Sequence, residues 1–376
     1  MYISRTLENF INEKIGSGKA IILLGPRQTG KTTILTRICE KQSPWLSLNC
    51  DDVLIREHLQ KANLKTLQQI IGNHSIVFID EAQRVKNIGL TLKLITDNFK
   101  NVQLLVCGSS SLEIANEINE PLTGRKWEFM LYPLSWQEIL NHEGFINTRS
   151  QLEQRLIFGM YPEIVTNIGQ EKEILIQLSG SYLYKDLFNY HGIRKPDLLE
   201  KILQALALQI GNEVSYNELS QLLEVDKKTI LRYLDLLEKA FVIFRLQPLS
   251  RNLRNEINSS RKIYFYDTGI RNAIIANFQP LTLRNDVGAL WENFLIAERM
   301  KYLHNNNHRT NTYYWRTHLR QEIDYIEERG GTLNAYEFKW SRTKQFRFPK
   351  SFLNAYPENR TSLIRADNFS EFLTEL

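Results

Sequence analysis

Residues 25–33 read Gly25-Pro26-Arg27-Gln28-Thr29-Gly30-Lys31-Thr32-Thr33, which fits the pattern G-x-x-x-x-G-K-[ST]. Glycines at the two ends of such a loop let its backbone N–H groups turn inward, where they can cradle a phosphate. Lys31 adds a point charge for β- and γ-phosphates, and the Thr32 hydroxyl is placed to ligate Mg²⁺. The chemistry requires a strand before the loop and a helix after it, because a helix N-terminus presents free N–H groups and a positive dipole end. The apolar run Ala20-Ile21-Ile22-Leu23-Leu24 and the helix-like residues 33–40 supply both. Residues 25–33 are therefore expected to bind ATP with Mg²⁺.

A second set of residues points to hydrolysis. The run Ser75-Ile76-Val77-Phe78-Ile79 reads as a buried parallel strand and ends in Asp80-Glu81. Ligands of open α/β sheets bind at the carboxyl ends of strands. There Asp80 is placed to hold Mg²⁺ through water, and Glu81 to polarise the attacking water as a general base. A further strand, Gln103-Leu104-Leu105-Val106-Cys107, runs into Gly108-Ser109-Ser110-Ser111. Ser109 at that strand end can sense a γ-phosphate, and serines before an apolar periodic run also cap helices. Arg125 precedes the strand-like residues 127–131. It can act as an arginine finger in its own chain or on a neighbouring copy, or it can be an ordinary surface residue.

A third set lies near the C-terminus. Glu322-Ile323-Asp324-Tyr325-Ile326 alternates as a strand, and Leu333-Asn334-Ala335-Tyr336-Glu337-Phe338-Lys339 reads as its partner across Arg329-Gly330-Gly331. Residues two apart share a face, so Glu337 and Lys339 point together and the hairpin brings Asp324 beside them. Two carboxylates can hold a divalent metal, and a lysine can position the water that attacks a phosphodiester. Glu292, on the amphipathic stretch opened by Gly288-Ala289-Leu290-Trp291, can add a further metal-side carboxylate. Arg316, Arg320, Arg342, Lys344, Arg347 and Lys350 bracket the set and can hold phosphate backbone. A hairpin with charged residues on its wet face would show the same composition.

These residues must be held by separate elements, and 376 residues suffice for two or three cores. Alternating strand and helix patterns over the first part argue for a parallel sheet covered by helices, closed by Tyr132-Pro133-Leu134-Ser135-Trp136. Residues 151–210 turn helical, and strands return near 261. Between them Ser215-Tyr216-Asn217-Glu218 has capping-box spacing, and Asp226 can cap a second helix ending near Lys239. With Ile230, Leu234 and Leu237 facing a core, Lys227, Lys228 and Arg232 face outward. Two short helices with a basic second one suit a helix-turn-helix, and residues 241–246 would begin a wing. Such modules contact DNA, dock proteins or serve as structure.

Bulk composition narrows the class. Lys and Arg total 47 against 42 Asp and Glu, a net charge of +5 too mild to declare nucleic-acid binding by itself. No apolar run approaches the ~18–20 residues of a membrane span, and residues 1–8 have no signal core. Cys39, Cys50 and Cys107 are far apart, without metal-ligand spacing, and suit thiols of a reducing compartment. A cytoplasmic location with no membrane partner is expected.

The chain resembles a family of bacterial and archaeal AAA-type ATPases with a C-terminal restriction-endonuclease-like, PD-(D/E)xK-type domain. The resemblance rests on residues 24–33, Ile79-Asp80-Glu81, Gly108-Ser109-Ser110, Leu122-Thr123-Gly124-Arg125, Pro133-Leu134-Ser135, Tyr264-Phe265-Tyr266-Asp267-Thr268-Gly269, Gly288-Ala289-Leu290-Trp291-Glu292-Asn293 and Glu337-Phe338-Lys339. Ile323 stands where the nuclease motif has proline. The resemblance implies an α/β architecture in three parts: a P-loop ATPase domain at 1–150 with a parallel sheet, a helical and winged-helix domain at 151–260, and a nuclease-like α/β domain at 261–376. The expected function is ATP hydrolysis coupled to a DNA-directed task. The rival is a nucleotide switch that binds a protein partner, with an inert nuclease-like scaffold. Assembly into a homo-oligomer is compatible with either.

Overall fold

Five runs in the first third of the chain form parallel strands: β1 Ala20–Leu24, β2 Trp45–Asn49, β3 Ile76–Asp80, β4 Gln103–Gly108 and β5 Lys126–Met130, in the order β2-β3-β4-β1-β5. The central strands β1, β3 and β4 are buried at every position, which is why they read as continuous apolar runs rather than alternating ones. Their alternation separates two cores. Ile22, Leu24, Val77, Ile79, Leu104 and Val106 pack with Leu59, Leu67 and Leu92. Ile21, Leu23, Phe78, Leu105 and Cys107 pack with Leu7, Ile11, Ile34 and Ile38. Asp52 and Asn63 cap helices Val53–Gln60 and Leu64–Ile71 by accepting from Leu54 N (2.8 Å) and Thr66 N (3.0 Å).

The computed structural model describes residues 2–42, 44–108, 121–183, 195–249 and 261–375. It divides into two units, Met1–Leu134 with Lys239–Phe241, and Ser135–Glu238 with Val242–Leu376. The first stretch of the first unit thus ends at Leu134. Ser135 makes a full capping box with Glu138 at the start of helix Trp136–Glu143. Trp136 donates its N–H to Glu298 at 2.6 Å, and its ring meets Phe294 and Phe369 edge-on, so this helix is anchored in the second unit.

The second unit holds a seven-stranded sheet built from β6 Glu213–Val214, β7 Ile243–Pro248, β8 Arg261–Phe265, β9 Asn311–Arg316, β10 Glu322–Arg329, β11 Thr332–Lys339 and β12 Asn359–Arg365. Its order is β12-β11-β10-β9-β7-β8-β6. The expected boundary at 260 runs through this sheet, because β7 pairs both with β8 and with β9 (Gln247↔Tyr313). Helix Tyr216–Leu222 and helix Lys227–Lys239 follow their expected caps. Ser215 accepts from Glu218 N, and Asp226 accepts from Thr229 N at 2.8 Å. Ile230, Leu234 and Leu237 are buried, while Lys227, Lys228 and Arg232 are exposed. Helix Val287–Asn305 precedes β9–β11, and helix Lys350–Ala355 crosses to β12, which lies parallel to β11. The β10–β11 hairpin turns on Gly330 and Gly331, both with positive φ (54° and 85°), as a tight two-residue turn needs.

Candidate nucleotide site and carboxylate cluster

The loop after β1 is shaped by two glycines in different ways. A Cβ on Gly25 would lie 2.1 Å from the Leu131 carbonyl oxygen, so only glycine permits β1 and the segment after β5 to approach there. Gly30, at φ 93°, has open space among the described residues where a side chain would be. Helix Lys31–Glu40 begins directly after it, and Gly30 as its N-cap residue offers no side chain to cap it. Its first-turn N–H groups are left for a ligand. Lys31 is buried, and its Nζ donates to the Gly25 and Pro26 carbonyls at 2.9 and 2.7 Å. The lysine thus folds over the loop that would hold a phosphate. Thr29 Oγ1 closes the turn by donating to Pro26 O at 2.9 Å, while Thr32 and Thr33 are exposed.

Asp80 and Glu81 lie at the same carboxyl edge, with β4 between β3 and β1. Asp80 is 8 % exposed and accepts from Glu81 N at 2.9 Å and from the Cys107 thiol. Burial and the Asp80 charge hold that thiol protonated, well above the ordinary thiol range. Cys107 is thus a hydrogen-bond donor to Asp80 rather than a nucleophile. Glu81 adopts φ 52°, an unfavourable region for a non-glycine residue that turns its side chain out of the strand alternation. Gln83 donates its amide to the Glu81 carboxylate and fixes it. The loop fits Mg²⁺-ATP by its donor set: an uncapped helix N-terminus, one lysine, one exposed hydroxyl and a carboxylate at one sheet edge.

Other expected residues fall elsewhere. Ser109 lies outside the described residues. Arg125 immediately precedes β5 and accepts from Ala20 N at its carbonyl (2.9 Å), which puts it at the amino edge of the sheet. The length of β1, roughly 16 Å at ~3.3 Å per residue, separates that edge from the phosphate loop. Its guanidinium is committed to Asp97, Nε to Oδ1 at 2.7 Å. An arginine finger onto its own chain's nucleotide is thereby corrected. Arg5 was not legible as a site residue, yet it is buried and donates to Thr29 O (2.7 Å) and Tyr132 O (2.6 Å), bracing the phosphate loop. No spacing rule links it to the loop.

In the second unit the expected hairpin forms. Register Tyr325↔Tyr336 sets Asp324 and Glu337 one step beyond, and Asp324 Oδ2 accepts from Phe338 N at 2.8 Å. Both carboxylates are buried (8 % and 4 % exposed). Lys339 pairs with Glu337 Oε1, whereas the buried Glu337 Oε2 has no hydrogen-bond partner among the described residues. Burial, then the Glu292 and Glu337 charges, push Asp324 well above the ordinary carboxylate range. Burial raises Glu337 as well, against the pull of Lys339. Glu292 is occupied: its Oε1 accepts from Lys262 Nζ at 2.8 Å and from the Tyr264 hydroxyl at 2.6 Å. Lys262, fully buried, also pairs with Glu322. Among the described residues no three His, Cys, Asp or Glu side chains converge to hold a metal. The cluster fits a divalent ion as a two-carboxylate site completed by water, with the orphaned Glu337 Oε2 as its clearest donor. Lys262 and Tyr264, two apart on β8, were discoverable from period-two alternation. Arg316, expected at phosphate, instead pairs with Glu213 at 3.2 Å.

Comparison with known proteins fits this division in part. Residues 17–140 match the family described as "AAA domain". Residues 149–281 and 287–371 match two families described as domains of unknown function, DUF8612 and DUF4143. An uncharacterized protein of Mycobacterium tuberculosis is 28 % identical over 329 residues, covering 86 % of this chain and 70 % of that one. An uncharacterized protein of Methanocaldococcus jannaschii is 26 % identical, covering 81 % and 72 %. The Walker-type ATPase of Pyrococcus abyssi superposes with a TM-score of 0.52 at 15 % identity, over 73 % of this chain and 96 % of that chain. No described helix is long and apolar enough to cross a membrane. The match at 17–140 and the parallel sheet with its loop support ATP binding and hydrolysis, and the first unit has an AAA-type P-loop ATPase fold.

Proposed function

We propose that the chain is an Mg²⁺-dependent ATPase that couples turnover to a DNA-directed task through a winged helix and a nuclease-like end. The observation that carries the first half is Lys31 and an uncapped helix N-terminus on the same sheet edge as Asp80 and Glu81. In this reading Lys31 would leave its carbonyls for the β- and γ-phosphates, and Thr32 and Asp80 would hold the ion. Glu81, oriented by Gln83, takes a proton from the attacking water. Mg²⁺, when bound, would supply charge neutralisation.

The second half is supported by the exposed Lys227, Lys228 and Arg232 on the second helix of a helix–turn–helix followed by strands. It is supported also by Asp324, Glu337 and Lys339 on one hairpin. There the two carboxylates would hold a divalent ion and Lys339 would orient water toward a phosphodiester. Glu292, held by Lys262 and Tyr264, tunes the charge of the set. One observation favours the second reading, a nucleotide switch with a protein partner: Glu292 and Glu337 already have lysine counter-charges. ATPase rates with and without single- and double-stranded DNA separate the two. Stimulation of several-fold is expected, and a rate indifferent to DNA would favour the switch.

A further inference from the structure

A groove of about 690 Å³ lies where helix Phe145–Ser150 faces the chain leaving β11 and β12. Its lining pairs exposed rings with guanidinium groups. Phe145 is 61 % exposed, although it is a large apolar side chain with Ile146 (81 %) beside it. Trp340, half-buried, stands edge-on to the buried Trp291 at 5.3 Å and lines the opposite side. Arg149 lies over Phe369 at 4.7 Å and donates to Ala366 O, so its position is fixed. Burial of Arg149, and then the charge of the exposed Arg342, depress the Arg149 pKa. Two guanidinium groups thus face one groove, and Glu153 is the single acid among its described lining residues.

Beyond the groove the charge continues. Arg342, Lys344, Arg347 and Lys350 are all exposed, and none forms an ion pair among the described residues. The same segment reaches back to the carboxylate cluster, where Lys339 Nζ lies 5.2 Å from the Phe346 ring. A small phosphate would satisfy the two arginines but leave the aromatic rings and the basic run unused. A duplex keeps its bases stacked on each other and offers none to Phe145 or Trp340. An unpaired strand uses both features, because each base has a face to stack and each phosphate a charge.

We propose that this groove binds single-stranded nucleic acid, with a phosphate between Arg149 and Arg342 and an unstacked base against Phe145 and Trp340. The strand is led from there to the edge holding Asp324, Glu337 and Lys339. The proposal rests on the nucleic-acid-directed reading above and adds the form of the ligand and its path. The test is fluorescence anisotropy of the full chain with a labelled twenty-nucleotide oligo-dT and with a duplex of the same length, across a salt series. Phe145→Ala, at an exposed site, should weaken the oligo-dT complex about tenfold with an unchanged salt slope. Arg342→Ala should weaken it and make the slope shallower by about 0.7 for the lost contact. Photocrosslinking of an iododeoxyuridine strand should mark Phe145 or Trp340. If the chain binds oligo-dT but both variants match it in affinity and slope, the groove is overturned while the wider reading stands. If no nucleic acid binds in any nucleotide state, the wider reading falls with it.

Discussion

The two charged sites of this chain are built on opposite electrostatic plans. At the phosphate loop backbone carbonyls are among the partners of the lysine. Lys31 donates to two of them, and Gly30 gives the helix N-terminus no side-chain cap. In the carboxylate cluster, by contrast, Lys262 neutralises Glu292, Lys339 neutralises Glu337, and Asp324 takes a backbone N–H. The first site gains from an incoming anion at little cost, because carbonyl contacts of a lysine are easily exchanged. The second must give up internal ion pairs or protons before it takes a cation. Pre-organisation for a ligand and self-neutralisation in its absence are thus both present in one polypeptide.

The largest effect is expected at the pre-organised site. Lys31→Ala removes a charge-assisted phosphate contact worth ~3 kcal/mol in the transition state, so turnover with Mg²⁺-ATP should fall by two orders of magnitude or more. Glu81→Gln keeps shape and removes the base, and should bind ATP normally while turning over ~100-fold more slowly. Normal turnover in the first variant, or lost affinity with a normal rate per bound nucleotide in the second, would reverse these roles.

The self-neutralised site should show its character through pH. Asp324 and Glu337 hold their protons above their ordinary values of 3.8 and 4.5, so protons compete with metal there. Mn²⁺ affinity by calorimetry should rise as pH rises above that range, and Asp324→Ala or Glu337→Ala should remove it while the ATPase persists. The same raised values favour the protonated fold. Without metal, stability in urea should therefore fall as pH climbs from the ordinary carboxylate range through the raised one. A pH-independent Mn²⁺ affinity, or none, would reduce the cluster to a structural network.

A smaller effect is expected at the helix Lys227–Lys239. Neutralising Lys227, Lys228 and Arg232 together should weaken duplex binding and flatten its salt dependence by roughly 0.9 per lost phosphate contact. These side chains are exposed and form no ion pair among the described residues, so the fold should be unaffected. An unchanged slope would assign the module to protein docking.

The same contrast explains what could be seen in the sequence. Residues 25–33 and Asp80-Glu81 were legible because their chemistry is local: one turn, one strand end and one helix start fix the geometry. The hairpin of Asp324, Glu337 and Lys339 was legible too, since period two and a Gly-Gly turn set its register. What escaped depends on long-range packing. Arg5 braces the phosphate loop from 24 residues upstream, and Trp136 pulls its helix into the second unit through Glu298. The continuity of β7 with β9 is likewise a tertiary choice that no local pattern encodes.

Arg125 tests how far a motif can be trusted without its position. Its place after Leu122-Thr123-Gly124 suits a finger residue, but the strand that follows carries it to the amino edge of the sheet. There Asp97 holds its Nε at 2.7 Å, and both side chains are partly exposed. Such exposed pairs contribute little to stability. Arg125→Ala should therefore leave both ATP affinity and turnover within about twofold of the parent when the chain is assayed at dilution. An arginine finger is worth 10³-fold or more in rate. A loss of that size, appearing only as chain concentration rises and restored by mixing with Lys31→Ala chains, would show that Arg125 reaches the nucleotide of a neighbouring copy. A concentration-independent twofold change would instead leave it as the partner of Asp97 alone.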